Sequence, residues 1–121
     1  MKPIRVLIVD DRPQVRQDLC TLLPLAGDFQ VVGEAANGAE AIEQATVLQP
    51  DVILMDLEMP MVDGYEATRQ IKARRSACRI VALSIHTGEA ARHKAAQAGV
   101  DGFIEKGAPL SSLLQAMTLG R

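Results

Sequence analysis

A five-stranded parallel sheet flanked by five helices, a (βα)5 three-layer α/β sandwich, is the fold class that this 121-residue sequence predicts. Three observations carry that expectation. Val6-Leu7-Ile8-Val9-Asp10-Asp11 and Val52-Ile53-Leu54-Met55-Asp56 are apolar, β-type runs that stop on carboxylates. A third run, Gly102-Phe103-Ile104-Glu105, stops beside Lys106. Near-continuous apolar runs suit strands buried on both faces of a parallel sheet. Helical patterns alternate with the strand-like runs, and that succession implies right-handed βαβ crossovers with helices on both faces.

The elements follow in order, with edges set to within about 2–4 residues. The first strand falls at about 4–9 and the first helix at about 13–25. Arg12-Pro13 suits that helix's first turn, and Val15, Leu19, Leu22 and Leu23 form the i, i+4, i+7, i+8 stripe that buries one face. A second strand at about 30–35 leads through Asn37-Gly38 into a helix at about 38–48, stopped by Pro50. The third strand, about 52–55, precedes a rigid loop at Met59-Pro60 and a turn at Asp63-Gly64, which open a helix at about 64–75. The fourth strand, about 80–84, runs into Ser84, and an alanine-rich helix at about 88–98 closes at Ala98-Gly99. The fifth strand, about 101–104, precedes a helix at about 110–119 on which Leu110, Leu113, Leu114 and Met117 repeat the apolar stripe. Without repeats, low-complexity stretches or a linker, residues 1–121 read as a single domain.

Composition excludes several classes of function. Apolar residues at 48% support a full core, and a chain of this length buries roughly two-thirds of its unfolded surface. A net charge of −2 gives no electrostatic footprint for nucleic acid, and Phe29, Tyr65 and Phe103 are too few aromatics for a base-stacking platform. No run spans a bilayer and no secretory h-region is present, so the cytoplasm is the expected compartment. Cys20 and Cys78 have no metal-ligand spacing and read as reduced, space-filling thiols.

The chemistry gathers at strand ends. Ligands of α/β sheets bind just outside the carboxyl ends of the strands, where Asp10, Asp11, Asp56, Ser84 and Lys106 converge if the runs are neighbours. Carboxylates brought together repel, so a divalent cation is expected among them. A carboxylate backed by a cation is a nucleophile towards phosphorus, giving an aspartyl phosphate. The cation and the ammonium would neutralise phosphoryl oxygens, and the hydroxyl would donate to one of them. Taken singly, each residue has a plainer role. Asp10 or Asp11 could cap the first helix, Asp56 and Ser84 could be turn residues, and Lys106 could be a solvated lysine.

Taken together, Asp10-Asp11, Asp56-Leu57-Glu58-Met59-Pro60-Met61-Val62-Asp63-Gly64, Ser84 and Gly102-Phe103-Ile104-Glu105-Lys106 resemble the receiver domain of two-component response regulators. The likeness covers essentially the whole chain and implies the flavodoxin-like (βα)5 fold. Carried over by position, it implies Asp56 as phosphoacceptor and Asp11 as a direct ligand of Mg2+ or Mn2+. Asp10 would act mainly through bound water, and Asp56 and the backbone carbonyl of Glu58 would complete the metal set. Ser84 and Lys106 would contact phosphoryl oxygens, and Ser84 and Phe103 would form the switch. A sensor histidine kinase is the implied donor. The implied activity is a phosphorylation switch with slow self-phosphorylation and self-dephosphorylation, not an enzyme acting on external substrates.

Departures from the family pattern also have consequences. Phe103 stands where tyrosine or phenylalanine is usual, and so lacks a phenolic hydroxyl. Lys106 is followed by Gly107-Ala108-Pro109 instead of directly by proline. A cis non-proline bond costs about 2.5–4 kcal/mol, so a trans Lys106–Gly107 bond is expected. Residues Lys106 to Ala116 look like the branch that carries a C-terminal helix-turn-helix domain. No such domain fits after residue 119, so DNA would be met only through an output domain absent from this chain. The chain is expected to be either a stand-alone receiver, docking proteins or relaying phosphate, or the N-terminal piece of a transcription regulator. Homodimerisation or docking is expected through the fourth helix, fifth strand and fifth helix, with the first and fifth helices as a rival dimer face. That fourth helix has few large apolar anchors, and Arg92, Lys94 and Glu105 would form an exposed polar interface. His86 and the Glu58 side chain are read as screens around the site, or His86 as an exposed imidazole, and His93 as a surface residue. A haloacid-dehalogenase-type phosphatase would need D-x-D after the first strand. A flavin- or nucleotide-binding module would need a phosphate loop where Asp10-Asp11-Arg12-Pro13 stands. A pseudo-receiver would lack one of the acid, hydroxyl and lysine set, and none is missing.

Overall fold

The computed structural model describes residues 2–118. Its elements are β1 (Ile4–Val9), α1 (Pro13–Ala26), β2 (Phe29–Ala35), α2 (Gly38–Leu48) and β3 (Val52–Asp56), followed by α3 (Gly64–Arg74), β4 (Arg79–Ser84), α4 (Glu89–Ala98), β5 (Gly102–Glu105) and α5 (Leu110–Thr118). Every expected element is present, with edges displaced by a residue at most. Leu119, the expected end of the last helix, lies outside the described residues.

The strands pair in parallel in the order β2-β1-β3-β4-β5. The chain winds one way from β1 to β2 and the other way from β3 onward. That reversal opens a crevice beyond the carboxyl ends of β1 and β3, where sheets of this kind take their ligands. It also makes the ends of β1, β3, β4 and β5 consecutive neighbours.

Side-chain alternation along each strand divides the core in two. Leu7, Val9, Ile53, Met55, Ile80 and Ala82 pack with Ala41, Ala45, Ala67, Ile71, Ala95 and Ala98 from α2, α3 and α4. Val6, Ile8, Val52, Leu54, Val81 and Leu83 pack with Leu23 from α1 and Leu113 and Met117 from α5. Both faces of the sheet are therefore covered, as the apolar runs require.

Two helices differ from expectation. Of the α1 stripe only Leu23 is fully buried, and Leu22 is 44% exposed. The reason is spacing: α1 lies over β1 and β2 while α5 lies over β4 and β5. Val15 and Leu19 consequently line an open apolar groove with Ile104 and Leu113. Helix α4 buries only Ala95 and Ala98, as its composition implied. However, Arg92 and Lys94 are not simply free surface charges. The Arg92 guanidinium lies 4.6 Å from the Phe103 ring centroid and the Lys94 ammonium 4.2 Å from that of Tyr65. Cation–π attraction thus supplies part of the fastening that apolar side chains do not.

The loop after β3 is held on both sides by glycines. Gly64, the first residue of α3, sits so close to the Asp56 carbonyl that a Cβ there would collide with it, and Gly38 stands in the same relation to the Val62 carbonyl. Asp63 caps α3 by accepting from the Glu66 N–H at 2.9 Å. Among the described residues no peptide is cis, so Lys106–Gly107 is trans as expected, with Gly107 at φ 93°.

Candidate functional site

Strand β1 delivers Asp10 to the crevice, and three bonds hold it there. Its N–H donates to the Ala35 carbonyl at 3.0 Å, and its own carbonyl accepts from Arg16 Nη1 at 2.7 Å. Its Oδ1 accepts from the Arg12 N–H at 2.8 Å. Arg12 is the N-cap of α1 and neither Asp10 nor Asp11 caps that helix, so the plainer capping role is not the one they fill. Asp10 is 2% exposed, and Asp11 beside it faces solvent.

Asp56 ends β3 and is completely buried. Its Oδ1 accepts from Lys106 Nζ at 2.8 Å and from the Glu58 N–H at 3.0 Å. Lys106 reaches it from the end of β5, whose register is tied to β4 by the Lys106 N–H donating to the Ser84 carbonyl at 2.9 Å. The second oxygens of Asp10 and Asp56, both Oδ2, are buried with no hydrogen-bond partner. Burial pushes the Asp56 carboxyl above the ordinary aspartate range; the Lys106 ammonium pulls it back, and the Asp10 carboxylate pushes it further up.

Asp10, Asp11 and Asp56 each present an oxygen, all within 4.8 Å of one another. Buried carboxylate oxygens without partners are costly, and a cation that accepts their lone pairs removes the cost. Three oxygens in a partly open cluster suit a hard divalent cation that keeps several waters, as Mg2+ does. The residues present fit that group.

Ser84, the last residue of β4, is buried, and its strand end neighbours those of β3 and β5. Its hydroxyl donates to Glu58 Oε2 at 2.7 Å, with the His86 carbonyl a second acceptor at 3.0 Å, and accepts from the His86 N–H at 2.9 Å. The other Glu58 oxygen accepts from the Ile85 N–H at 2.9 Å. The Glu58 carboxylate therefore bridges the loop after β3 to the loop after β4. That bridge was not visible in the sequence, which drew attention to Glu58 for its backbone carbonyl and for its place near the site. His86 is exposed, and it meets Ser84 through its backbone N–H and carbonyl. Phe103 lies half-buried on β5 against the core, under Arg92.

The sequence profile of the response regulator receiver domain matches residues 6–118. The chain belongs to the response regulator receiver domain family. Response regulator GacA of Pseudomonas viridiflava is 39% identical over 116 residues, covering 96% of this chain and 54% of that protein. The chain thus spans about half the length of the curated relatives it matches. Among solved structures, the receiver domain of the NarL regulator from Mycobacterium tuberculosis superposes with a TM-score of 0.89 at 32% identity, covering all of both chains. A CheX–CheY complex with BeF3 and Mg2+ from Borrelia burgdorferi gives a TM-score of 0.87 at 26% identity, over 95% of this chain and 87% of that one. The receiver fold and the likeness to NarL-type regulators follow from these matches. Among the described residues no helix is long and apolar enough to cross a membrane.

Proposed function

We propose that this chain is a phosphorylation switch that accepts a phosphoryl group on Asp56 from the phosphohistidine of a sensor kinase. The observation that carries the proposal is the meeting of Asp10, Asp11 and Asp56 with Lys106 Nζ 2.8 Å from Asp56, at the ends of adjacent strands. In the transfer, an Asp56 carboxylate oxygen attacks phosphorus and an O–P bond forms. The N–P bond to the donor histidine breaks, and the departing imidazole takes up a proton. Asp10, Asp11, Asp56 and the Glu58 carbonyl would hold Mg2+ (or Mn2+), which when bound supplies positive charge to phosphoryl oxygens. Lys106 is placed to neutralise a further oxygen, and Ser84 to donate its hydroxyl to another. Burial holds Asp56 away from bulk water, which favours a covalent intermediate over a solvated acid.

The acyl phosphate would alter self-association or docking at α4, β5 and α5, with Ser84 and Phe103 as the moving pair. The half-length match to full regulators supports a transcriptional output through a DNA-binding region outside this chain. In this reading the chain acts in the cytoplasm as a single domain, as a switch and not as an enzyme on external substrates. The solved relative with BeF3 and Mg2+ supports the choice of cation and of phosphoryl mimic.

Intact mass after incubation with acetyl phosphate tests the proposal. One phosphoryl adduct is expected with Mg2+, almost none after chelation, and none in Asp56→Asn. Equal labelling of Asp56→Asn and the parent would refute the acceptor, and equal labelling without metal would refute the acid cluster's role.

A further inference from the structure

We propose that Glu58 is a positioning residue: its side chain competes with the phosphoryl group for the Ser84 hydroxyl and latches the receiver in its unphosphorylated arrangement. This rests on the reading of Asp56 as phosphoacceptor. Ser84 is buried, so its hydroxyl must satisfy itself from the few acceptors in reach. In this structure the charged Glu58 Oε2 takes it at 2.7 Å, a short bond of the strong, charge-assisted kind. The Ser84 oxygen accepts from the His86 N–H at 2.9 Å, and the hydroxyl's single proton has two acceptors in reach, the Glu58 carboxylate at 2.7 Å and the neutral His86 carbonyl at 3.0 Å. A phosphoryl oxygen arriving on Asp56 can receive that proton only in competition with these acceptors, of which the closer, charged Glu58 is the stronger.

The second carboxylate oxygen makes the latch wider than one bond. Through Glu58 Oε1 it also holds the Ile85 N–H at 2.9 Å, so the start of the loop after β4 is tied to the loop after β3. Ile85 itself is 60% exposed, with little apolar contact to fix it otherwise. Release of Glu58 frees the Ile85 N–H and leaves the Ser84 hydroxyl with only the His86 backbone. The consequence runs along the chain to Thr87, whose carbonyl accepts from Arg92 Nε at 3.2 Å, and Arg92 in turn covers the Phe103 ring. A side chain two residues after the acceptor thereby biases the surface that phosphorylation is proposed to alter. A ligand shifts an equilibrium only by its differential contacts, and here one contact must be surrendered for another.

The experiment is beryllofluoride binding at saturating Mg2+, followed by amide shifts of Ser84, Ile85 and Phe103. Glu58→Ala should bind about tenfold more tightly than the parent, a difference of about 1.4 kcal/mol. Its unliganded Ile85 and Phe103 shifts should already have moved towards the bound positions. Glu58→Gln, which keeps the shape but loses the charge, should fall between. In a Ser84→Ala background the Glu58→Ala gain should vanish, because the hydroxyl competed for is gone. If the gain persists undiminished there, Glu58 acts only as a repelling charge and the latch is refuted. If Glu58→Ala binds no more tightly than the parent, the competition is refuted while the acceptor reading stands. If the parent binds no beryllofluoride with Mg2+, the acceptor reading itself fails.

Discussion

Aspartates stand at both ends of this sheet and are handled in opposite ways. At the amino end, Asp51 precedes β3 and Asp101 precedes β5. Each exchanges two bonds with the neighbouring strand. Asp51 donates its N–H to the Arg5 carbonyl and accepts from the Arg5 N–H, both at 2.9 Å. Asp101 repeats the arrangement with Ile80 at 2.8 Å, and Lys72 Nζ adds an ion pair at 2.6 Å. At the carboxyl end, Asp10 and Asp56 each keep a buried oxygen that nothing satisfies. The lesson is that an acid at a strand end is a clamp when the neighbouring backbone supplies its donors. It is a site when they are withheld.

The largest effect expected from breaking this contrast is at the amino end. Asp101→Ala removes the acceptor of the Ile80 N–H and the partner of Lys72, and should cost about 2–3 kcal/mol. Thermal unfolding followed by circular dichroism should show Tm lower by roughly 10 °C in a domain of this size. A loss below about 0.5 kcal/mol would mean that the clamp is ornamental.

Next comes the carboxyl end with cation. Mg2+ at ten times its Kd should stabilise the parent by about 1.4 kcal/mol through mass action. Asp101→Ala should keep that increment in full, whereas Asp56→Asn should lose most of it. Equal Mg2+ increments in all three proteins would place the cation elsewhere.

The smallest effect concerns the metal-free protein. Asp56→Asn should stabilise it by about 1 kcal/mol, because a poorly compensated buried charge is removed. Burial raises the Asp56 carboxyl above its unfolded value. Its contribution to stability is therefore complete at acid pH, below the unfolded value, and is lost as pH rises through the folded value. The gain from Asp56→Asn should accordingly be absent in acid and full at neutral pH. A gain that grows on acidification instead would contradict the sign.

Much of this was legible in the residues. Strands buried on both faces must be apolar throughout, so β1 and β3 announced themselves, and their acids marked the crevice. The set Asp10, Asp11, Asp56, Ser84 and Lys106 followed once neighbouring order was assumed, and the observed order makes those ends adjacent. Side-chain direction in loops was not legible, because it depends on donors brought from other elements. Glu58 finds Ser84 and Ile85 across a loop-to-loop gap that spacing along the chain cannot report. Arg92 and Lys94 read as surface charges because their rings, Phe103 and Tyr65, lie on other elements. The clamps had a faint signal, an acid immediately before an apolar run at Asp51-Val52 and Asp101-Gly102. The α1 stripe misled for a different reason: periodicity shows which face is apolar but not whether a neighbour closes over it.

The two loops that border the crevice also differ in stiffness. Residues 57–63 are bound by the Leu57 N–H to the Leu83 carbonyl, by the Gly64 N–H to the Leu57 carbonyl and by the Gly38 N–H to the Val62 carbonyl. Two close-packed glycines leave that segment no room to recoil. Across from it, a Cβ on Gly88 would meet nothing. Mechanically, the crevice is a rigid anvil facing a spring. Under the proposed switch, work done at the acids would find little give in the loop after β3, and displacement would pass to the loop after β4 and onward to α4. A side chain at position 64 would soften the anvil and blunt the signal without touching a single charged group.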